Sequence, residues 1–558
     1  MAKGKPRSGG RILVDALKNH GVTTAFCVAG ESYLDVLDAF YDTPEIRLVT
    51  CRQEGGAAFM AEAQGKLTGK PGICLVTRGP GACNASIGVH TAMQDSTPMI
   101  LLVGQVARDQ IGREAFQEID YRRFFAPPVT KWAEQIDCAS RIPEMIARAF
   151  RIATEGRPGP VVLALPEDML CDAVRAADVP PLSVRSNPPA KEDITALNTL
   201  LGKAKHPLAL IGGSGWTDKA VQDFTEIAET LGLPVACGFR RQDAFASRHD
   251  NYIGELGTGA NPKLVKRVRE ADFVLALGTR LSEIVTQGYT LFDVPLPRQN
   301  LVHVHAAAAE IGKVYSPALG IAAGTEAFCA AWKMQLSFTQ KPAWTKWRKA
   351  ARQDYLDWTT IKKTDTFTPD MDYIFSTLRE TLPDDAIITT DAGNFSVWAQ
   401  RYLSYGRPGR LLAPTSGAMG YGLPAAVSAA LAHPDRVVIG MAGDGGILMN
   451  GQEIATAVQQ QAAPVMLVFD NGMYGTIRTH QEKTYPGRIS ATNLHNPDFA
   501  AWAESFGANG FSVNQNSDFP AALNAALGDA LSDRKKPSLI EINMDAEQIL
   551  PGKRLSQI

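Results

Sequence analysis

No apolar run in the 558-residue chain reaches the roughly 18 residues needed to cross a bilayer. The polar opening MAKGKPRSGG also lacks the apolar core of a signal peptide. These absences lead us to expect a soluble, cytoplasmic protein with no membrane partner. Charge of one sign is missing too: 56 Lys and Arg stand against 58 Asp and Glu, for a net charge of −2. Without a basic excess nucleic acid is not an expected partner, and small molecules fit better. The eight cysteines include no CxxC, and Cys27, Cys74 and Cys237 lie in apolar segments. Buried thiols in a reducing compartment are therefore expected, with neither disulfides nor a thiolate metal site. No short repeat is visible, and at roughly 100–200 residues per domain the chain should form several.

The most informative positive feature lies near the far end, where MAGDGG surrounds Asp444 and VFDNGMYG surrounds Asn471. Each follows a strand-like run, RVVIGMA and APVMLVF, and MNGQEIATAVQQQ between them reads as a helix. A strand, glycine-rich turn, helix and parallel strand bring Asp444 and Asn471 to one sheet edge. A carboxylate and an amide oxygen there can hold Mg2+ and leave corners for phosphate oxygens and water. Gly443, Gly445 and Gly446 let a diphosphate approach backbone N–H groups at the positive end of the next helix. A P-loop would need Lys and Ser or Thr after the glycines, and none follows Gly446. A dinucleotide fingerprint could take Asp470 as its ribose partner but leaves Asn471 without a role.

Strand-like TTAFCV, IRLVTC, GICLVT and PMILLVG alternate with helical stretches through the first part, which RPGPVVLALPEDM closes. That alternation predicts an α/β domain with a parallel sheet over residues 1–182. VPPLSVRSNPPA near 179–190 reads as a linker. HPLALIGGSG, GLPVACG, ADFVLALGTR and NLVHVHA mark a second α/β unit over 190–340. AWTKWRKAARQDYLDW reads as connecting helix, and a third α/β unit covers 365–550 with a layout similar to the first.

TCRQEGGAAFMAEA, TRGPGACN, GREAFQE, RPGPVVLALPED, SGAMGYGLPAA, GDGG and DNGMYG occur in this order. On these motifs the chain resembles the acetolactate synthase-like group of thiamine-diphosphate enzymes along nearly its whole length. The resemblance implies three doubly wound parallel-sheet domains, pyrimidine-binding, middle and diphosphate-binding. It also implies a homodimer or homotetramer with sites between the first and third domains of different subunits. Glu54 matches the family glutamate that shares a proton with the pyrimidine ring, and its presence argues against the glyoxylate carboligase branch. Taken alone, an acid at a helix start is more often a dipole-favoured surface residue. Gly417 matches the carbonyl that holds the ring's amino group and Met419 the wedge that bends the cofactor. Gly393, Asn394 and Phe395 match the loop on the other side of the diphosphate. The implied Mg2+ ligands are Asp444, Asn471 and the main-chain carbonyl of Met473, with Tyr474 beside them at the cofactor. Gln117 matches a residue near the thiazolium, with Phe116 packed next to it.

Departures from the biosynthetic synthases cluster where substrate would sit. Their tryptophan aligns with His480, beside Arg478; the lysine of their IPKD-type motif becomes Glu167; and PGG becomes AGES, which puts Glu31 and Ser32 at the expected cofactor face. We read His480 as a candidate proton donor or positioning group and Glu31, Ser32, Phe116 and Arg478 as candidate substrate contacts. The acidic strand end of the flavin-binding synthases is replaced by His305 and Ala307 in VHVHAAAAEIGK, so the reading goes against FAD, although GTRLSE around Arg280 retains part of the flavin-facing pattern. His303 and His305 form an H-x-H pair that we read as strand packing, not a metal site.

The leading expectation is a 2-oxo acid decarboxylating carboligase acting on pyruvate or a related acid and a carbonyl acceptor. The alternative is a non-oxidative decarboxylase or C–C lyase of the benzoylformate decarboxylase kind; the paired histidines expected of pyruvate decarboxylases are absent. A remote third reading is a non-catalytic thiamine-binding protein, against which Glu54, Asp444 and Asn471 all stand.

Overall fold

The computed structural model describes residues 5–182, 186–336, 343–362, 367–407 and 409–558. Three six-stranded, all-parallel sheets follow one another along the chain. The first contains β1 (Thr24–Cys27), β2 (Arg47–Thr50), β3 (Gly72–Val76), β4 (Met99–Gln105), β5 (Trp132–Gln135) and β6 (Pro160–Pro166), in the order β2-β1-β3-β4-β6-β5. The second contains β7 (Pro207–Ile211), β8 (Val235–Gly238), β9 (Tyr252–Leu256), β10 (Phe273–Leu277), β11 (Asn300–His305) and β12 (Leu319–Ala322), in the order β12-β11-β10-β7-β8-β9. The third contains β13 (Ile387–Thr390), β14 (Arg410–Leu412), β15 (Val438–Gly443), β16 (Val465–Asp470), β17 (Asn509–Val513) and β18 (Ser538–Asn543), in the order β14-β13-β15-β16-β18-β17. First and third sheets thus share one topology, while the middle sheet has the doubly wound nucleotide-fold order. Strands such as MILLVGQ and PVVLALP are buried at every position, as parallel strands covered by helices on both faces must be.

Small residues bring the first and third domains close. The helix Glu54–Thr68 lies against Gly79–Asp95 so tightly that a Cβ on Gly88 would sit 2.4 Å from that of Ala58. The third-domain helix Gly422–Ala432, mostly Ala and Gly, packs on Glu54–Thr68, and the Ser428 hydroxyl donates to Met60 O at 2.9 Å. One hydrophobic core therefore runs from Phe26 and Met60 through Tyr421 and Ala426.

Two sequence expectations need correction. The helix after Asp444 begins at that residue and is broken into Asp444–Asn450 and Glu453–Gln459. Packing overrides glycine's poor helix propensity: a Cβ at Gly445 would lie 2.4 Å from the Tyr474 ring, and one at Gly446 2.4 Å from Asp391 Oδ2. The cysteines form no disulfide, but Cys83, Cys138 and Cys171 are exposed, because they fall on outward helix and turn positions and not in sheet interiors. Part of the linker at 179–190 lies outside the described residues. Among the described residues no helix is long and apolar enough to cross a membrane.

Charge is buried in the seam between domains. Lys66 pairs with Glu62 at 3.2 Å and with Asp95, all three almost wholly buried, and donates to Ala413 O at 3.0 Å. Burial pushes the Glu62 carboxyl up and the Lys66 ammonium opposes it. Nearby, Arg410 pairs with Asp243 of the middle domain at 3.1 Å and donates to Lys66 O at 2.8 Å. Lys66→Met would leave two carboxylates in an apolar seam without their cation, and should cost about 3–5 kcal/mol of stability. Urea unfolding measures it; a loss below about 1 kcal/mol, in the range of exposed ion pairs, would contradict the burial argument.

Candidate active site

β13, β15 and β16 are parallel neighbours, so the turns after them meet at one edge of the third sheet. That edge lies where the strand order reverses, the usual position of a ligand crevice in an open α/β sheet. The turns enclose a cavity of about 210 Å³ lined by Gly393, Asn394, Phe395, Gly417, Met419, Gly443, Asp444, Gly445, Gly446, Asn471, Met473 and Tyr474, with Ile477, Met544 and Gln548 closing it. The structure thus brings together all the residues proposed for the diphosphate and its metal. Every lining residue belongs to 392–548.

The cavity's electrostatics are unusual. Asp444 Oδ1 accepts from Gly445 N at 2.9 Å, and Oδ2 accepts from Met473 N at 3.1 Å and Asn496 Nδ2 at 2.9 Å. Asn496 Nδ2 also donates to Asp470 Oδ1 at 2.8 Å. Among the described residues no Lys, Arg or His forms an ion pair with Asp444 or Asp470. Burial, reinforced by the Asp470 charge, raises Asp444 to about 6. Asp444 and Asp470, at the ends of neighbouring strands, share Asn496 and have no protein cation; Asp444 lines the cavity with Asn471 and Met473, whose amide and main-chain oxygens complete an oxygen donor set suited to a divalent ion. Of Gly443, Gly445 and Gly446 only Gly443 borders open space, where a Cβ would meet no more than the edge of Phe395, at 3.4 Å. These residues fit thiamine diphosphate with its metal.

Asp391, which the sequence reading left without a role, organises the turn opposite. Fully buried after β13, it accepts from Gly420 N at 2.9 Å and from Gly422 N, so the segment carrying Gly417 and Met419 is pinned to it. Burial raises its carboxyl to about 6 against these bonds. Gly417 has φ +71°, an orientation glycine adopts freely. Asn394 is held by Thr476 and Thr479, at 2.9 and 3.2 Å. Phe395 stacks on Phe469, ring centroids 5.2 Å apart.

Glu54 lies elsewhere. It opens the helix Glu54–Thr68 at the carboxyl edge of the first sheet, half-buried, and its Oε2 accepts from Asn84 Nδ2 at 2.9 Å. The N–H groups of Arg52 and Gln53 just before it both donate to Glu453 of the third domain at 3.0 Å, and Gln53 caps Gly56 N at 3.1 Å. Gln117 shares this edge with φ +66°; its carbonyl accepts from Gly79 N at 3.0 Å and its Oε1 is buried without a protein partner. Phe116 is 76% exposed, in contrast to the packing expected of it. Ser32 is buried and bonds to Thr77 at 3.0 Å, so it faces the domain interior and not a cofactor. Glu31 pairs with Arg78 at 3.1 Å, and Arg78 also pairs with Glu167. On the helix Gly475–Thr484, Arg478 is buried and paired with Glu482, while His480 is exposed one turn beyond Ile477 of the cavity.

A second cavity, of about 710 Å³, adjoins the first at Gly393, Asn394 and Gly417 and reaches the middle domain at Arg240, Arg241 and Arg280. Arg240 Nε and Nη1 and Arg241 Nε are buried without protein partners. His303 and His305 are buried strand residues; His303 Nε2 contacts Thr279 O at 2.9 Å, and burial lowers His305 to about 4. No cluster of metal-ligating His, Cys, Asp or Glu occurs among the described residues.

Asp391, Asp470, Asn496 and Arg78 are the site residues that sequence reasoning missed. Arg78 stands inside the motif TRGPGACN, Asp391 lies two residues before Gly393, and Asp470, weighed only as a ribose partner, directly precedes Asn471. Asn496 carries no local signal.

Family models of thiamine pyrophosphate enzymes match the chain three times: the N-terminal TPP binding domain over residues 7–124, the central domain over 194–332 and the C-terminal TPP binding domain over 391–542. The chain is 32% identical to the acetolactate synthase large subunit of Parasynechococcus marenigrum, over 99% of this chain and 90% of that one. It is 30% identical to the isozyme 2 large subunit of Escherichia coli, with 96% of both chains covered. A probable acetolactate synthase large subunit of Methanocaldococcus jannaschii is 32% identical over 99% of this chain and 95% of its own.

Asp444→Ala removes the most buried donor of the cation site, and should abolish Mg2+-dependent binding of thiamine diphosphate; Asn471→Ala should weaken it. Isothermal calorimetry with and without Mg2+ measures both. Unchanged affinity in Asp444→Ala would place the metal elsewhere.

Proposed function

This chain belongs to the thiamine pyrophosphate enzymes, in their acetolactate synthase-like group, and we propose that it is a thiamine-diphosphate- and Mg2+-dependent carboligase. It decarboxylates a 2-oxo acid such as pyruvate and joins the remaining acyl group to a second carbonyl. The observation that carries this reading is the pair of carboxylates without a protein cation beside the glycine turn, at the reversal point of the third sheet.

Bound thiamine diphosphate supplies an acidic thiazolium carbon and an electron sink for the decarboxylated donor. The chain's own residues do the rest. Asp444, Asn471 and the main-chain carbonyl of Met473 hold Mg2+, and the turns at 393–395 and 443–446 with Tyr474 receive the diphosphate. Gly417 and Met419 grip the cofactor's rings from the segment that Asp391 fixes. Glu54 holds a proton at a pyrimidine nitrogen and so favours removal of the thiazolium proton. The site is read as shared between two copies of the chain because the family resemblance implies it, and a cavity lined by third-domain residues alone, with no first-domain residue entering it, is consistent with that reading. A homodimer, or a tetramer of two such pairs, is the working unit. His480 and Gln117 are assigned to proton transfer and positioning at the acceptor.

Incubating enzyme, thiamine diphosphate and Mg2+ with a panel of 2-oxo acids and carbonyl acceptors should give carbon–carbon ligation products. Aldehyde as the sole product would make the protein a simple decarboxylase. Glu54→Gln should retain cofactor binding and lower turnover by about 10²-fold or more; wild-type rates with cofactor bound would sink its assignment.

Flavin is a separate question at the second cavity. The replacement of acidic residues by His305 and Ala307 favours a flavin-free enzyme, whereas the unpartnered arginine N–H groups favour an anion there. Protein purified without added flavin should lack the yellow flavin absorbance. A stoichiometric flavin spectrum would put FAD in this space.

A further inference from the structure

The first sheet has the same strand order as the third, so it too has a reversal point, between β1 and β3. In the third sheet the equivalent point, between β13 and β15, opens on the cavity lined by Gly393 and Gly443. In the first, Glu31 follows β1 and Arg78 follows β3, with Glu167 following β6 at the same edge. Arg78 is 8% exposed; Nη1 donates to Glu31 Oε1 at 3.1 Å and Nη2 to Glu167 Oε2. Glu54 belongs to the same edge: a Cβ on Gly81 would lie 3.2 Å from Thr77 Cγ2 and 3.6 Å from Glu54 Oε1. Glu31 keeps 61% of its side chain exposed and Glu167 33%, so both carboxylates face outward from the buried guanidinium that links them.

An arginine at a site for 2-oxo acids ordinarily clamps a substrate carboxylate through two parallel N–H groups. Arg78 is poorly placed to do so, being 8% exposed with each Nη already donating to a glutamate. Arg478 is likewise committed, to Glu482. At this edge carboxylates outnumber guanidinium groups: Glu31, Glu54 and Glu167 stand with Arg78 and Arg52, and Arg108 after β4 is matched by both Asp168 and Asp172. A charged acceptor would bring a further carboxylate against that field, while an uncharged one would not.

We propose that Glu31 and Glu167, bridged by Arg78, form an acidic rim that selects an uncharged carbonyl acceptor, an aldehyde, over a second 2-oxo acid. The inference rests on the carboligase reading and adds the class of the acceptor to it. Glu31 and Glu167 are specificity residues that act through charge, and Arg78 is the positioning residue that holds them.

The test pairs two acceptors with the same alkyl chain, propanal and 2-oxobutyrate, in direct competition, with whichever 2-oxo acid of a donor panel is decarboxylated. Wild-type enzyme at low salt should favour the propanal adduct by about tenfold or more in product ratio. Glu31→Gln and Glu167→Gln, which keep shape and remove charge, should each move the ratio severalfold toward the 2-oxobutyrate adduct. Raising NaCl to about 0.5 M should move the wild-type ratio in the same direction, because screening shortens the reach of the rim to a few ångströms; a packing role predicts no such salt effect. Circular dichroism checks that both variants fold. A wild-type preference for 2-oxobutyrate, or a ratio unmoved in both variants and by salt, overturns the rim and leaves the carboligase standing. Release of CO2 with no adduct from either acceptor overturns both.

Discussion

The buried Asp391 carboxylate is the contact on which the arrangement of the site depends. It stops β13, takes the N–H groups of Gly420 and Gly422, and lies where a side chain on Gly446 would otherwise be. Its own carbonyl accepts from Arg240 of the middle domain at 3.2 Å. One residue therefore registers the segment bearing Gly417 and Met419, the first turn of the helix Asp444–Asn450 and the neighbouring domain. Removing water from this carboxylate is costly, and charge-assisted bonds to backbone N–H groups offset part of that cost. Such bonds fix geometry more than they add stability, which suits a place where three backbone segments must meet around one ligand.

Each of the three sheets has a reversal point beside its first strand, between β1 and β3, β7 and β10, and β13 and β15, and each of these carries a different kind of chemistry. The third exposes uncompensated carboxylates and glycine backbone. The middle sheet reverses between β7 and β10, near Gly213 and Thr279, and opens on arginines in the large cavity. The first carries the acid-rich edge with Glu54. Asp391, Asp444, Asn471, Arg78 and Glu167 are far apart in sequence, yet each stands one or two positions beyond a strand.

That regularity explains what was legible in the sequence. Strands of continuous apolar residues, the paired Asp444 and Asn471 turns and the repeated α/β layout all leave local patterns. The edge strand β5, WAEQ, is half-exposed throughout and leaves none. The helix starting at Asp444 was read too late because glycine is a poor helix former, and only tertiary contacts with Tyr474 and Asp391 explain its early start. The substitution of AGES for PGG sets Glu31 and Ser32 together at the expected cofactor face, but a one-residue difference in direction turns Ser32 inward to Thr77. Asn496 bridges two carboxylates from a loop 25 residues beyond Asn471, a relation that no spacing rule encodes.

The bonds from Arg52 and Gln53 to Glu453 bear on why Glu54 can serve as more than a helix cap. The positive end of a helix attracts a nearby acid, which usually spends its charge there. Here that role falls to a carboxylate borrowed from another domain, together with the Gln53 side-chain cap. The local acid is left with a single amide contact, to Asn84. The helix end is thus compensated by a glutamate 399 positions away and does not draw on the Glu54 side chain.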